Sequence, residues 1–168
     1  MPVNCRIARA EDLPALCALG AEVNLYHHAA LPEVFALPDD PERDAAIWAQ
    51  AIGGADSAAF VAERGAHVIG FVTGAMADED ISFFRPRRYC CVGVMGVVPA
   101  ERGRGVGRAL MAALERWAHA HSAAEVHLNV WTFNDAAIRL YAELGYETRT
   151  QLMVKRLPPI DRKAAQSC

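Results

Sequence analysis

Arg102-Gly103-Arg104-Gly105-Val106-Gly107 is the stretch on which the reading of this chain turns. An apolar run ending Val94-Met95-Gly96-Val97-Val98-Pro99 precedes it, and an amphipathic run from Arg108 to His119 follows it. The order is therefore strand, glycine turn, helix. The first N–H groups of a helix have no intrahelical acceptor and lie at the positive end of its dipole, so a loop placed there can hold a phosphate or pyrophosphate without a lysine. Glycines at alternate positions open dihedrals closed to other residues and bare the backbone to a ligand. Arg102, Arg104 and Arg108 add positive charge. A tight turn before an ordinary surface helix has the same local signature, so the flanking sequence must decide.

Two common phosphate loops are excluded. A Walker loop needs Gly-Lys followed by Ser or Thr, which is missing here, and no magnesium-binding set accompanies the turn. A dinucleotide fingerprint has its third glycine one residue later and stands at the head of a βαβαβ unit. Glu125 lies at about the spacing of a ribose-binding acid but precedes its strand instead of ending it.

The run Val97-Val98-Pro99-Ala100-Glu101-Arg102-Gly103-Arg104-Gly105-Val106-Gly107-Arg108-Ala109-Leu110 resembles the acetyl-CoA signature of the GCN5-related N-acetyltransferases. A second block, from His127-Leu128-Asn129-Val130-Trp131 through Asn134 and Tyr141 to Gly145-Tyr146, is similar to that family's later segment. The resemblance spans about Tyr89 to Glu147. It implies an α/β (α+β) fold: a mixed, mostly antiparallel sheet of six to seven strands, about four flanking helices, and two splayed parallel strands holding the cofactor. The function it implies is direct, acetyl-CoA-dependent acetylation of a primary amine on a small molecule or peptide. The alternative is a non-catalytic acyl-CoA sensor on the same fold.

By that resemblance, main-chain groups of Met95, Val97 and Val98 pair with the pantetheine arm, and residues 102–108 (Arg102, Gly103, Arg104, Gly105, Val106, Gly107, Arg108) hold the pyrophosphate. The Val97 amide is the expected oxyanion donor. Tyr141 matches the general acid that meets the departing thiolate, and it also touches the cofactor. Asn134 has two compatible roles, as helix cap and as a contact to the cofactor arm. Asn129 either reaches substrate or satisfies neighbouring backbone. The strand before the loop offers no carboxylate as general base, leaving a water or a residue from elsewhere. Glu22, His27 and His28 fall in the N-terminal region that usually forms the acceptor side. The acceptor stays open among small amines, amino acids, aminoglycosides and protein amines. A homodimer is expected by analogy with relatives.

Composition bounds the rest. At 168 residues, 53% hydrophobic and 22% charged, the chain reads as one soluble domain over residues 1–157 with a polar tail at 158–168. A net charge of -3 gives no general pull toward nucleic acid or anionic membrane. No apolar stretch has the length of a membrane span and no signal core opens the chain, so a cytoplasmic protein is expected. Five cysteines without metal-like spacing indicate neither a disulfide framework nor a metal site.

Along the chain, the patterns predict a strand at Val3–Ala8, helices over Glu11–Leu25 and Glu42–Ile52, and an irregular segment from His27 to Pro41. A hairpin is expected from Ala58–Glu63 and His67–Met76, then a solvated turn at Asp78-Glu79-Asp80 and a strand over Tyr89–Val98. Gly96 or Gly93 inside that strand suggests a bulge or a close backbone approach. Glu125–Trp131 alternates like a strand with one face on a core, and Asn134 caps a helix that Gly145 ends.

Overall fold

The computed structural model describes residues 2–38 and 41–158, with the backbone alone for 41–44. The polar tail from residue 159 onward lies outside the described residues. Five strands, β1 (Asn4–Ile7), β2 (Ser57–Arg64), β3 (His67–Glu79), β4 (Arg87–Val97) and β5 (Glu125–His127), form one sheet in sequence order. Every neighbouring pair is antiparallel except β4 and β5, which run parallel. Helices α1 (Leu13–Ala30) and α2 (Pro41–Ala51) precede β2, α3 (Val106–Ala120) follows β4, and α4 (Asp135–Glu143) follows β5.

The stripe read from the sequence of α3 becomes its buried face. Val106, Leu110, Met111, Leu114 and Ala118 are sealed against Ala62, Val72 and Cys90 of the sheet. Burying each leucine contributes roughly 2 kcal/mol, which clamps the helix and so fixes the loop at its head. On the opposite face α1 and α2 bring Leu16, Leu19 and Trp48 onto Val61 and Phe71, with the Trp48 and Phe71 rings edge-to-face at 5.3 Å. At the start of α1, buried Asp12 takes 2.7 and 2.9 Å hydrogen bonds from the Arg6 guanidinium and one of 2.7 Å from the Arg9 amide.

The structure corrects several expectations. The sheet has five strands, not six to seven, because residues 128–131 leave the ladder after β5 and residues 147–157 form none. Helix α1 continues past Leu25 through Ala30, since no helix breaker stands before Pro32; His27 and His28 are therefore helical. Strand β3 runs through Glu79, so Asp78 and Glu79 are paired with Arg88 and Arg87 instead of forming a solvated turn.

The bulge falls at Gly93 and Val94, not Gly96. Register passes from Val72 opposite Met95 to Gly74 opposite Val92, leaving Gly93 and Val94 to face Thr73 alone. The Thr73 hydroxyl closes the gap by accepting the Val94 amide at 3.0 Å. Gly93 is needed because a Cβ there would sit 2.6 Å from that hydroxyl. Gly96 answers a different demand, since its Cβ would lie 2.8 Å from the buried Phe71 ring and 3.0 Å from Val23 of α1.

Candidate functional site

Parallel pairing between β4 and β5 covers only Tyr89 to Cys91 and Glu125 to His127. Beyond it β4 stays with β3 while the chain after His127 departs, and a cleft of about 200 Å³ opens between Val92–Met95 on one side and Leu128–Trp131 on the other. All four residues from Leu128 to Trp131 line the cleft in succession, so the alternation expected there ends at His127. The bulge turns the backbone of β4 toward this gap. Val98 donates its amide to Ile69 O at 3.0 Å, and strand alternation then faces the amides of Met95 and Val97 away from β3 toward the open side.

Val98, the third strand residue expected at the cofactor arm, is engaged within the fold. Its carbonyl accepts the Glu101 amide at 3.0 Å, so both of its main-chain groups are committed internally. Val97 lies beyond the cleft lining, and its carbonyl takes a 3.0 Å hydrogen bond from Arg102 Nε. Met95 is the better placed of the pair, lining the cleft and lying against the start of α3, where a Cβ on Gly107 would stand 3.7 Å from its methyl carbon.

At the loop, Gly103 (φ +70°) and Gly105 (φ +81°) take left-handed conformations, and a Cβ on either would meet nothing within 4 Å. The first hydrogen bond of α3 is Ala109 N–H to Gly105 O at 3.0 Å. Among the described residues the amides of 103–108 donate to no acceptor, which leaves a nest of N–H groups at the positive end of a buried helix. Gly107 does something else: a Cβ there would come within 3.0 Å of Leu140, so it lets α4 close on α3. The arginines are partly engaged. Arg108 pairs with Glu143 at 2.7 Å, while Arg104 reaches Glu101 only at 3.9 Å and stays largely exposed.

Helix α4 supplies the far wall. Asn134 caps it, its Oδ1 accepting the Ala137 amide at 3.2 Å, and also lines the cleft with Ala137 and Tyr141. Burial pushes the Tyr141 phenol above its ordinary range, so it holds its proton at neutral pH. Burial likewise raises the Cys90 thiol, to about 11, and the Cys91 thiol, so neither is a thiolate nucleophile at neutral pH.

The N-terminal residues separate. His27 lines the cleft, and its Nδ1–H donates to Val23 O at 2.7 Å; the carbonyl can only accept, so Nε2 carries the lone pair of the neutral ring. His28 instead ties Nδ1 to Phe35 O at 2.6 Å, and Glu22 is exposed and outside the cleft. Asn129 is in the lining. Sequence reasoning did not single out Asn24, Thr73, Phe35 and Trp131 as site residues. Only the aromatic ones left a signal, Phe35 as a large ring in the irregular segment after His27 and Trp131 as one in the same alternating run as Asn129. Among the described residues no group of three His, Cys, Asp or Glu side chains is placed to hold a metal ion, and no helix is long and apolar enough to cross a membrane.

A nest of unbonded amides at the head of a helix, beside a wedge between two parting parallel strands, agrees with what the sequence matches: residues 23–146 fit the acetyltransferase (GNAT) family. The chain belongs to that family. Among curated relatives, an acetyltransferase of Pectobacterium atrosepticum is 35% identical over 88 residues, 52% of this chain and 56% of that protein. An acetyltransferase of Yersinia pseudotuberculosis is 35% identical over 69 residues, 41% of this chain and 49% of that one. The chain thus matches about half the length of these relatives. A protein from Bacillus halodurans shares the fold at TM-score 0.86 and 22% identity, over 92% of this chain and 99% of that one. AAC(6')-Iy, solved with a bisubstrate analogue, shares it at TM-score 0.76 and 17% identity, over 95% of this chain and all (100%) of that one.

Proposed function

We propose that this GNAT domain moves an acetyl group from acetyl-CoA directly to a primary amine. The observation that carries the reading is the set of unpartnered amides at residues 103–108, joined to the cleft through Met95 and Gly107. These residues fit a pyrophosphate: the amides converge at a helix head, and the space a side chain would occupy at Gly103 and Gly105 is open. The thioester supplies the activated acetyl group when bound; everything else falls to the chain.

Met95 replaces Val97 as the oxyanion donor in this reading, since it lines the cleft and its amide faces the gap; such a donor is worth roughly 3 kcal/mol in acyl transfer. Tyr141, kept protonated by burial, gives its proton to the sulfur as the carbon–sulfur bond breaks. The amine must shed a proton as its bond to the acetyl carbon forms. His27 Nε2 receives it, being the one basic side chain of the lining, with its tautomer set by Val23. Asn134 and the residue 103–108 amides hold the cofactor arm. Asn129 sits where it meets the acceptor.

The test follows free thiol release from acetyl-CoA with purified protein and a panel of amines. Release that requires an amine supports transfer. Tight acetyl-CoA binding without release on any amine sinks it in favour of the sensor reading. His27→Gln should lower kcat/KM by about 100-fold while leaving acetyl-CoA affinity unchanged; an undiminished kcat/KM removes His27 as the base. A cytoplasmic location and a homodimer complete the proposal. Leu152, Met153 and Val154, at 88%, 89% and 80% exposure, are the apolar surface a second copy would cover, and sedimentation at micromolar concentration tests it.

A further inference from the structure

Three segments remote in sequence bring rings to the open end of the cleft: the last turns of α1, the chain after it, and the chain after β5. Phe35 stands edge-to-face on Trp131 at 4.9 Å, and His27 lies 4.9 Å from Phe35. Tyr26 and Phe133 back this wall, at 5.8 and 5.5 Å from His27, and the Trp131 and Phe133 rings are near-parallel at 6.3 Å. Trp131 remains 38% exposed, so one part of its ring is packed and another is presented.

Among the described residues no Asp, Glu, Lys or Arg lines the cleft. Of the described acidic groups nearby, Glu22 is exposed outside the lining, Glu33 is paired with Arg156 at 2.5 Å, and Asp78 with Arg88 at 3.1 Å. A polycation such as a polyamine or aminoglycoside would bring several charges to a wall that offers no countercharge, and desolvating an unpaired charge is strongly unfavourable. A flat apolar body would stack on Phe35 and Trp131, leaving its single amino group to His27 and the neutral amides of Asn24 and Asn129.

We infer that the acceptor is a monoamine with an aromatic or planar apolar body, recognised by Phe35 and Trp131, and not a polycation. The inference rests on the acetyltransferase reading above and assigns the acceptor class of the same cleft.

Two measurements on the full chain test it. Calorimetry compares 2-phenylethylamine with spermidine on the protein saturated with CoA, and thiol release compares the two as acceptors of acetyl-CoA. The aromatic amine should bind the CoA complex, and its kcat/KM should exceed that of spermidine by at least ~10-fold. Trp131→Ala should raise KM for phenylethylamine by ~10-fold or more while KM for acetyl-CoA stays within about 2-fold. Phe35→Ala serves the same purpose should Trp131→Ala fail to fold. Preference for spermidine, equal losses on both amines in the variants, or no binding of phenylethylamine to the CoA complex overturns the inference. Phenylethylamine binding that weakens in Trp131→Ala, without thiol release on any amine, sustains the acceptor site and overturns the transfer reading instead.

Discussion

The two halves of the cleft are built on different principles. The half proposed for the phosphates is backbone: a turn with left-handed glycines, a helix whose inner face is sealed on the sheet, and amides aimed by that packing. The acceptor half is side chain: rings from three separate segments leaning on one another, with Tyr26 and Trp131 exposed at 44% and 38%. Backbone geometry tolerates almost any side chain that leaves the turn intact, so one kind of ligand is held across many sequences. A wall of side chains changes its ligand with each substitution. On the acetyl-transfer proposal the first half therefore fixes what is donated, and the second selects what receives it.

The sharpest way to break this division is Tyr141→Phe, on the hinge between the halves. It should lower kcat about 100-fold with little change in acetyl-CoA affinity, measured at saturating substrates. An undiminished kcat removes Tyr141 as the acid. Gly105→Asp attacks the phosphate half alone, placing a negative side chain where φ is +81° and the surrounding space is open. The fold should persist, while calorimetry shows acetyl-CoA binding weakened by about 2 kcal/mol, or roughly 30-fold. Unchanged affinity would mean that the nest is not the anion site.

Two further variants reach the acceptor half through α1. Asp12, at the start of that helix, is held below its ordinary range first by the Arg6 hydrogen bonds, against the opposing effect of burial. A depressed folded value means that its stabilisation is present above the unfolded pKa, ~3.9, and is lost as pH falls through the folded value. Asp12→Asn should cost about 2 kcal/mol at pH 7 and much less at pH 3, compared by urea midpoints. An equal cost at both pH values refutes the linkage. Gly96→Ala should cost about 1.5 kcal/mol by crowding Phe71 and Val23, and should raise the amine KM more than the acetyl-CoA KM. Equal shifts in both would show that the halves are not separable.

This division also governs how much of the molecule was legible in its sequence. The β4–turn–α3 unit is local, and its apolar spacing and glycines, like the Asn134 cap of α4, had readable signatures. Glycines 103, 105 and 107 looked equivalent; only the structure shows that a side chain at Gly107 would meet Leu140, whereas at Gly103 and Gly105 it would meet open space. The bulge depended on Thr73, twenty-one residues away in sequence from the amide it accepts. No local pattern announces a hydroxyl standing in for a ladder hydrogen bond, so Gly96 was the more conspicuous candidate. The aromatic wall joins residues 26, 27, 35, 131 and 133, a juxtaposition that only the folded sheet and the longer α1 create.

Helices α3 and α4 are locked together by the Gly107–Leu140 approach, the Arg108–Glu143 pair and the Tyr146 hydroxyl on Glu115 at 2.8 Å. One carries the amide nest at its head and the other carries Asn134 and Tyr141, so on the acetyl-transfer proposal the span from phosphate to sulfur is set by a rigid gauge. A donor with a longer acyl chain cannot gain room by sliding back along that gauge. Its extra carbons must project toward Phe35 and Trp131, where donor length and acceptor size compete for the same space.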